Sequence, residues 1–367
     1  MVKKNITYIF GVGRKNILNN QNYSNEFFYG FQYFQNEYEC VDFIEFVPNL
    51  NKKYILLEKV LSKLTNLPFY FSNIMSSDNY KILKKTNYIV FTNERMLISC
   101  MLYLILLKKR KIKSVVIIMG LFSKKTNNRF VNLLQKFFLS YILTTVTEVV
   151  FLGIGEYNSA KKMYPKYEKK FHHIPFMLNN NFWINKKNIK IESRNNILFI
   201  GNDGKRDYQK VIQIAKALPE YNFIFVSKII RNEDIVSDNV ELINGYWNEN
   251  VLDDIDIQNI YDKSRITILP LIQSEQPSGQ SVTLQSLSRG VPVMISRTNG
   301  FWDNSKFVNN QNIVFVDHNS LEDWTSEIKK IYANIEKLDL LSTNGIKLMK
   351  QSNNSEFFYK RLKKLLF

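Results

Sequence analysis

The sequence has few of the residues from which disulfide frameworks and metal clusters are built. It contains two cysteines and three histidines in 367 residues. Cys40 and Cys100 are too few, and too far apart in the sequence, for either kind of structure. A reducing compartment, the cytoplasm, is therefore the simplest expectation.

Long hydrophobic runs are also lacking. A membrane-spanning helix needs about 20 apolar residues, whereas 97–107 is shorter and polar residues interrupt 131–152. Near the start of the chain, Lys3 and Lys4 precede the short apolar run Ile6–Phe10. We interpret this run as a first strand and not as a signal peptide.

Length and composition are those of a folded protein with two domains. Hydrophobic residues make up 45% of the chain and charged residues 23%, which excludes a wholly disordered chain. At about 150 residues per domain, the length predicts two domains.

Positive charge is concentrated in the first half of the chain. Residues 1–190 contain 29 Lys and Arg against 11 Asp and Glu, a net charge of +18, and the remaining residues contain 21 and 22, a net charge of −1. Together they give the formal +17. This asymmetry predicts an anionic partner for one half only, either a membrane surface or nucleic acid.

Three groups of basic residues lie beside apolar or aromatic stretches, which predicts a shallow contact with an anionic membrane. The alternative is that they are solvated faces of core helices. No nucleic-acid partner is predicted, because no recognition-helix, RNA-sheet or zinc motif is present. The groups are Lys108, Lys109, Arg110, Lys111 and Lys113; Lys124, Lys125, Arg129 and Lys136; and Lys161, Lys162, Lys166, Lys169 and Lys170.

Short apolar runs alternate with helical stretches in both halves, which is typical of doubly wound α/β domains. The predicted strands are Ile6–Phe10, Val41–Val47, Tyr88–Phe91, Val115–Met119, Asn196–Ile200, Phe223–Val226, Val240–Ile243, Ile266–Leu271, Val293–Ser296 and Ile313–Val316. The predicted helices are 27–34, 54–65, 97–112, 128–144, Asp207–Ala217, Asp256–Tyr261 and Val282–Ser288.

These elements predict four segments. A first Rossmann-like domain spans 1–178, a polar linker that includes Lys186 and Lys187 spans 179–195, and a second Rossmann-like domain spans 196–345. An amphipathic helix over 346–367 is expected to pack back on the first domain. The two domains are expected to face each other across a ligand-binding cleft.

A loop of small residues, Ser278, Gly279, Gln280 and Ser281, comes directly before a predicted helix. Free backbone N–H groups and the positive end of the helix dipole make such a loop an anion site suited to a diphosphate. The alternative is an ordinary helix start in which Ser278 is the N-cap.

The segment Glu275–Val293 resembles the retaining nucleotide-sugar glycosyltransferases of glycosyltransferase family 4, which have the GT-B fold. Their signature has two acidic residues eight positions apart, then a helix ending in Gly before Pro-Val. Anchored on Gly290-Val291-Pro292-Val293, the acidic positions fall on Pro277 and Gln285, so both carboxylates are absent. Two further segments, 174–183 and 200–208, resemble the linker and the first donor-domain loop of these enzymes.

The resemblance implies roles for individual residues. Arg206, with Lys205 and Gly201, is expected to hold the donor phosphates and to stabilise the leaving diphosphate. The alternative is that it only forms a surface pair with Asp207 or belongs to a helix start. The loop 278–281 would bind phosphate or sugar. Two side chains replace the family carboxylates in this interpretation: Gln285 would contact the ribose hydroxyls and Glu275 the donor sugar. Their alternatives are an exposed helix glutamine and a solvated loop carboxylate.

Glycines near the start of the chain have a weaker implied role. Gly11 and Gly13 would let a loop of the first domain approach the donor, although a plain tight turn after a strand is the alternative. His172, His173 and His318 are predicted to be structural or loop residues, so no general base is assigned.

The resemblance further implies transfer of a sugar from a nucleotide sugar to a glycan or lipid-linked acceptor. The setting would be bacterial surface polysaccharide (lipopolysaccharide or capsule) or glycoprotein assembly at the inner face of the cell membrane. A retaining mechanism in which the leaving phosphate takes the acceptor proton is expected, with no cofactor and no metal, because Asp253, Asp254 and Asp256 are predicted to cap a helix. The alternatives are an inactive binding protein of the same fold and, less favoured, a nucleic-acid-binding protein.

Overall fold

The computed structural model describes residues 4–124, 126–184, 190–235, 237–245, 252–352 and 354–367. The chain divides into two compact units. Unit 1 comprises Met1–Asn20, Phe27–Pro175 and Glu356–Phe367, and unit 2 comprises Gln21–Glu26 and Phe176–Ser355. Lys125 of the second basic group, and Lys186 and Lys187 of the predicted linker, lie outside the described residues.

A parallel sheet of six strands forms the centre of unit 1. The strands are β1 (Ile6–Phe10), β2 (Val41–Glu45), β3 (Tyr88–Phe91), β4 (Lys113–Ile118), β5 (Glu148–Phe151) and β6 (Phe171–His173). Their order is β2-β1-β3-β4-β5-β6, and β1 is buried throughout, as expected for a sheet covered on both faces. Because β2 and β3 lie on opposite sides of β1, the winding of the chain reverses beside β1.

Helices connect and cover these strands. They are α1 (Arg14–Ile17), α2 (Phe31–Glu37), α3 (Ile55–Thr65), α4 (Ser77–Lys85), α5 (Glu94–Ser99), α6 (Met101–Leu106), α7 (Arg129–Thr145) and α8 (Ile154–Met163), with short 3-10 helices at Glu26–Phe28, Lys52–Tyr54, Phe71–Asn73, Lys108–Arg110 and Pro165–Lys170. An aromatic cluster ties α2 to the sheet: the Phe31 ring lies 5.4 Å from Phe10 and 5.2 Å from Tyr8.

Unit 2 has a second parallel sheet of six strands. The strands are β7 (Asn196–Ile200), β8 (Asn222–Val226), β9 (Val240–Ile243), β10 (Ser264–Leu269), β11 (Val293–Ser296) and β12 (Val314–Val316). Their order is β12-β11-β10-β7-β8-β9. The winding therefore reverses between β7 and β10, which are direct neighbours.

The helices of unit 2 surround this sheet, and Trp324 and Trp183 are among its fully buried side chains. They are α9 (Asn180–Trp183), α10 (Tyr208–Ala217), α11 (Asp254–Lys263), α12 (Gln280–Ser288), α13 (Leu321–Ala333) and α14 (Ile335–Ser352), with short 3-10 helices at Ile191–Ser193 and Asn232–Asp234. The last helix, α15 (Ser355–Leu366), lies in unit 1 from Glu356 onward. There Tyr359 stacks on Tyr33 at 5.3 Å between ring centres.

The ten predicted strands are present, with bounds that differ by at most two residues. Two strands, β5 and β6, were not predicted. The helix predicted over 27–34 is wrong in its first half: Tyr29 and Gly30 have positive φ, and Gly30 precedes the shorter helix α2. The single helix predicted over 346–367 is also wrong, because α14 already begins at Ile335 and α15 follows it as a separate helix.

The doubly wound α/β class predicted from the sequence is confirmed for both units. None of the helices in the described ranges combines the length and the apolarity that a bilayer crossing requires.

Candidate functional site

The loops that follow β7 and β10 lie together at the carboxyl edge of the sheet of unit 2. An isolated antiparallel bridge joins Arg206 to Leu271, and the backbone N–H of Ile272 donates to the carbonyl of Lys205 at 2.9 Å. In open α/β sheets, ligands bind outside the carboxyl ends of the strands where the winding reverses. The predicted residues around 206 and 278 therefore share the position at which such a fold forms a binding site.

Arg206 is the central side chain of this site. It is only 4% exposed, and its Nη1 contacts Ser278 Oγ and lies 3.0 Å from Asp203 Oδ2. Its Nε donates to the Ile200 carbonyl at 3.3 Å. The Asp203 side chain is 44% exposed, so one partner of the buried guanidinium is open to solvent. Asp203 was missed in the sequence, where its only signal was an acidic residue three positions before Arg206.

Ser278 completes this cluster. Its hydroxyl donates to Asp203 Oδ2 at 3.0 Å and accepts from Arg206. The surface-pair alternative for Arg206 and the N-cap alternative for Ser278 are wrong, whereas a helix does start directly after Arg206, with Asp207 as its N-cap. Arg206 pairs with Asp203, while Asp207 caps α10 by accepting from Lys210 N at 3.0 Å. The N-cap of α12 is Gly279 and not Ser278.

Gly201 and Gly279 leave room for the Arg206 side chain because neither has a Cβ atom. A Cβ built on Gly201 would lie 2.6 Å from Arg206 Cγ, closer than real Cβ contacts allow. Gly279 has φ +82, a conformation that favours glycine. A Cβ there would lie 3.3 Å from Ile295 and 3.8 Å from Arg206 Nη1. Glycine at 201 and 279 thus permits the close approach of backbone and guanidinium.

The first turn of α12 begins directly beside the guanidinium. The N–H of Thr283 donates to the Gly279 carbonyl at 2.9 Å, so the N–H groups that precede it have no intrahelical acceptor. Gln280 and Ser281 are half-buried in this turn. The N–H groups of a first helical turn, the helix dipole and an adjacent cation are together suited to bind phosphate oxygens.

Gln285 lies on α12, as expected, and its side chain is 1% exposed. Its Oε1 accepts from the Tyr261 hydroxyl at 3.4 Å. The alternative of an exposed glutamine is therefore wrong, while contact with a ribose stays a prediction. Glu275 is half-buried on the loop before Ser278. That loop passes so close to Gly300 that a Cβ there would lie 2.5 Å from the Gln276 carbonyl oxygen.

Gly11 and Gly13 follow β1, where the winding of the unit 1 sheet reverses. Gly13 has φ +88, precedes α1 and has open space around its Cα, whereas a Cβ on Gly11 would contact Met96 at 3.5 Å. The Gly11 loop thus has the same place in the sheet of unit 1 as the Gly201 loop has in the sheet of unit 2. The structure therefore brings Gly201, Lys205, Arg206 and 278–281 together in unit 2, and places the Gly11 loop in unit 1.

Two buried carboxylates in unit 1 were missed in the sequence. Glu94 accepts from the N–H of Met119 at 3.1 Å, and Glu156 accepts from those of Gly120 and Phe122, both at 2.8 Å. Burial raises the pKa of Glu94 above its usual value. Together the two carboxylates fix the loop that follows β4.

A cavity of about 370 Å³ lies beside this loop in unit 1. Apolar residues, among them Phe122 and Leu139, line it together with Lys124 and Lys136. Gln135 also lines it, and the Nε2 of this buried side chain has no hydrogen-bond partner among the described residues. Burial lowers the pKa of Lys124. The cavity combines apolar walls, two ammonium groups and one unsatisfied amide donor.

The basic groups differ in their surroundings. Residues 108–111 and Lys113 are exposed, as are Arg129 and Lys136 on α7. Part of the third group has a structural role: Lys161 pairs with Glu168 at 2.5 Å, and Lys170 donates to the carbonyls of Leu143 and Val146, each at 2.7 Å.

Other polar residues named from the sequence have structural contacts. Asp253 and Asp256 form a reciprocal capping box at the start of α11, which confirms the predicted cap. His172 Nε2 contacts Glu148 Oε2 at 2.6 Å between neighbouring strands. His318 lies in a loop after β12.

No family model matches the chain, and the comparison with curated proteins gives no match. Solved structures match over nearly the whole chain. A glycosyltransferase from Rickettsia africae ESF-5 has 12% identity and a TM-score of 0.69, covering 100% of this chain and 98% of that one. Sucrose-phosphate synthase from Thermosynechococcus elongatus has 13% identity and a TM-score of 0.67, covering 99% and 98%. HepE of Anabaena, in complex with UDP and glucose, has 9% identity and a TM-score of 0.64, covering 99% of each chain.

These likenesses confirm the predicted GT-B fold. The chain has the fold of the GT-B glycosyltransferases, with two parallel six-stranded sheets and flanking helices. Assignment to family 4 stays a prediction.

Proposed function

We propose that this protein is a glycosyltransferase that uses a nucleotide sugar as its donor. The observation that carries the proposal is the position of Arg206 beside the first turn of α12, where the winding of a parallel sheet reverses. Cleavage of the donor places negative charge on the leaving diphosphate. A fixed guanidinium and the N–H groups of the first turn of α12 stabilise that charge without reorganisation.

The leaving group in this proposal is a nucleoside diphosphate bound at Arg206, Lys205 and the 278–281 loop. We take UDP as the first candidate, since HepE of Anabaena, which has the same fold, was crystallised in complex with UDP and glucose. Transfer proceeds with retention in this proposal, the leaving phosphate taking the acceptor proton. It needs no metal, no cofactor and no protein base.

The acceptor is a glycan or a lipid-linked glycan in bacterial surface polysaccharide or glycoprotein assembly. The cavity beside Lys124 and Gln135 supports this part of the proposal, since its apolar walls and ammonium groups suit an amphiphilic anion. The protein acts in the cytoplasm at the inner face of the membrane, bound to anionic lipid through its basic first half. No nucleic-acid partner forms part of the proposal.

Binding of the donor is tested by thermal denaturation with UDP, GDP, CMP and dTDP at millimolar concentration. A ligand at about 100 times its Kd stabilises the folded state by about 2.7 kcal/mol, enough for a rise of several degrees in Tm in a domain of this size. If no nucleotide raises the Tm, the donor-site assignment fails.

A second candidate is a protein that binds a nucleotide sugar without transferring the sugar. The observation in its favour is the loss of both family carboxylates, at Pro277 and Gln285, together with the burial of Gln285. Release of free UDP from UDP-glucose and other UDP-sugars, followed by chromatography, separates the two candidates. Slow hydrolysis of any donor supports the enzyme, and tight binding without hydrolysis or transfer supports the binding protein.

A further inference from the structure

Two helices of unit 1 expose rows of large apolar side chains. On α7, Leu133 is 65% exposed and Phe137 is 69% exposed; on α3, Leu56 is 74% exposed. We call this surface the α3–α7 face. Its apolar members are Leu56, Leu57, Val60 and Leu64 of α3 and Phe130, Leu133 and Phe137 of α7.

The two rows lie on neighbouring helices, because α3 and α7 pack against each other. The spacing of the α7 row, at 130, 133 and 137, places its members on one side of the helix. Leu139, Ile142 and Leu143 of the same helix are buried in the core. The exposed row of α7 is therefore a second apolar surface on a helix that already buries another face, whereas on α3 only Thr65 is fully buried.

Charge of one sign accompanies this apolar surface. Six exposed cations lie on the two helices or on the turn that precedes α3. They are Lys52, Lys53, Lys59, Lys63, Arg129 and Lys136. The sequence of α7 contains no Asp or Glu, and α3 contains only Glu58, whose carboxylate accepts from the N–H and hydroxyl of Ser72 at 3.0 Å.

Unit 2 offers a contrast within the same chain. Among its described residues, the exposed large apolar side chains are scattered singly along the sequence, as at Ile229, Ile255 and Leu340. Its long helix α13 carries acids and bases together. Clustered apolar exposure framed by cations is thus a property of unit 1. It is most extensive on α3 and α7, which expose seven large apolar side chains, whereas α6 exposes Ile105 and Leu106 beside the basic residues 108–111.

We propose that the α3–α7 face docks on an anionic lipid bilayer, with its leucine and phenylalanine side chains inserted at the level of the acyl boundary and its lysines near the headgroups. Shallow apolar burial and attraction to anionic lipid are the two contributions that hold an interfacial helix. The inference rests on the membrane association included in the proposed function, and it gives that association a defined surface and orientation.

The test measures co-sedimentation of the full chain with two kinds of vesicle, phosphatidylcholine alone and phosphatidylcholine with about one third phosphatidylglycerol. Binding is expected only to the anionic vesicles, and it should weaken as salt rises because exposed charges are screened. Equal binding to both vesicles, or binding to neither, would overturn the proposal.

Two double variants separate the contribution of apolar insertion from that of attraction to anionic lipid. Leu133→Ser with Phe137→Ser should lower partitioning to anionic vesicles by about tenfold or more. Lys59→Gln with Lys63→Gln should lower it by a similar factor and reduce its salt dependence. Matched controls are Leu340→Ser on α14, and Lys216→Gln with Lys350→Gln, at exposed positions of unit 2. Unchanged partitioning in the first two variants would refute the proposal.

The same variants distinguish other occupants of the face. All are surface substitutions, so an unchanged Tm and an unchanged UDP-induced shift in Tm are expected. If the wild-type chain sediments as a dimer without lipid and the Leu133/Phe137 variant as a monomer, a second copy covers the face and the membrane assignment is wrong. Because nucleotide binding is read separately, failure at the vesicles leaves the donor-site proposal standing, and the reverse also holds.

Discussion

Replacement of Arg206 by alanine tests the donor site most directly. The guanidinium is held rigidly by Ser278, Asp203 and the Ile200 carbonyl, so its orientation is set before any ligand arrives. A hydrogen bond to a charged group contributes about 1.5 to 3 kcal/mol. Allowing for competition from Asp203, we expect Arg206→Ala to weaken UDP binding by about 2 to 3 kcal/mol, which is about 30- to 150-fold in Kd.

The substitution will also cost stability, because it removes a buried side chain with three protein partners. Each kcal/mol lost lowers the Tm by about 2 to 4 °C in a domain of this size. Titration calorimetry with UDP should therefore be run well below the Tm of the variant. Arg206→Lys should have an intermediate Kd, since one ammonium keeps the charge but lacks the planar fork that reaches several acceptors.

Arg265→Ala is the matched control. Arg265 lies near the start of β10, the strand whose opposite end leads into the site loop, and its guanidinium stacks on Tyr332 at 4.4 Å. Its loss should leave UDP affinity unchanged. The reasoning is refuted if folded Arg206→Ala binds UDP within threefold of the wild type, or if Arg265→Ala loses as much affinity as Arg206→Ala.

Three further predictions concern Gly201, Glu94 and a buried ion pair of unit 2, in which Arg289 Nη2 lies 2.5 Å from Asp262 Oδ2. Gly201→Ala should displace Arg206 and weaken UDP binding about tenfold. Gly204→Ala, whose added Cβ has nothing within 4 Å, should leave the affinity unchanged. Titration calorimetry with UDP measures the Kd of both variants. Burial raises the pKa of Glu94, so the contribution of this side chain to stability falls as the pH rises from about 4.5 through the raised pKa. In urea unfolding at pH 5 and 7.5, the free energy of unfolding of Glu94→Gln should therefore fall less between the two pH values than that of the wild type. Asp262→Asn should destabilise the protein by about 3 to 5 kcal/mol in urea unfolding, because it leaves the buried Arg289 guanidinium without its carboxylate.

The sequence predicted the strands of unit 2 better than those of unit 1. In unit 2 each apolar run, such as Asn196–Ile200, is bounded by polar or turn residues that show where the strand begins and ends. In unit 1 only Val146 and Thr147 separate helix α7 from β5. Strand β5 begins with the charged Glu148, so its apolar part is only the three residues 149–151. Strand β6 is three residues long and contains two histidines. A segment of three residues is too short for hydrophobic periodicity to indicate a strand.

The site was predictable where its parts are local. A loop of small residues before a helix and a basic residue after a strand are both visible in the sequence, and the reversal of winding explains why they meet. Burial was not predictable in the same way. The position of Gln285 depends on packing against Tyr261, 24 residues earlier on another helix, and counting from the Gly-Val-Pro-Val segment gives no information on that contact.

Pro277 and Gln285 stand at the two acidic positions of the family signature on α12 and its loop. The site nevertheless contains an acidic side chain. Asp203, from the loop after β7, accepts from the hydroxyl of Ser278, 75 residues later in the sequence, and from Arg206. Its carboxylate therefore contacts Ser278, the residue that follows Pro277, on which the first acidic position of the family signature falls. The sequence around the second loop could not indicate it, because the two loops are brought together by the pairing of β7 with β10 and by the bridge between Arg206 and Leu271. If the proposed donor site is right, a bound diphosphate or sugar must share or displace the hydrogen bonds of the half-exposed Asp203.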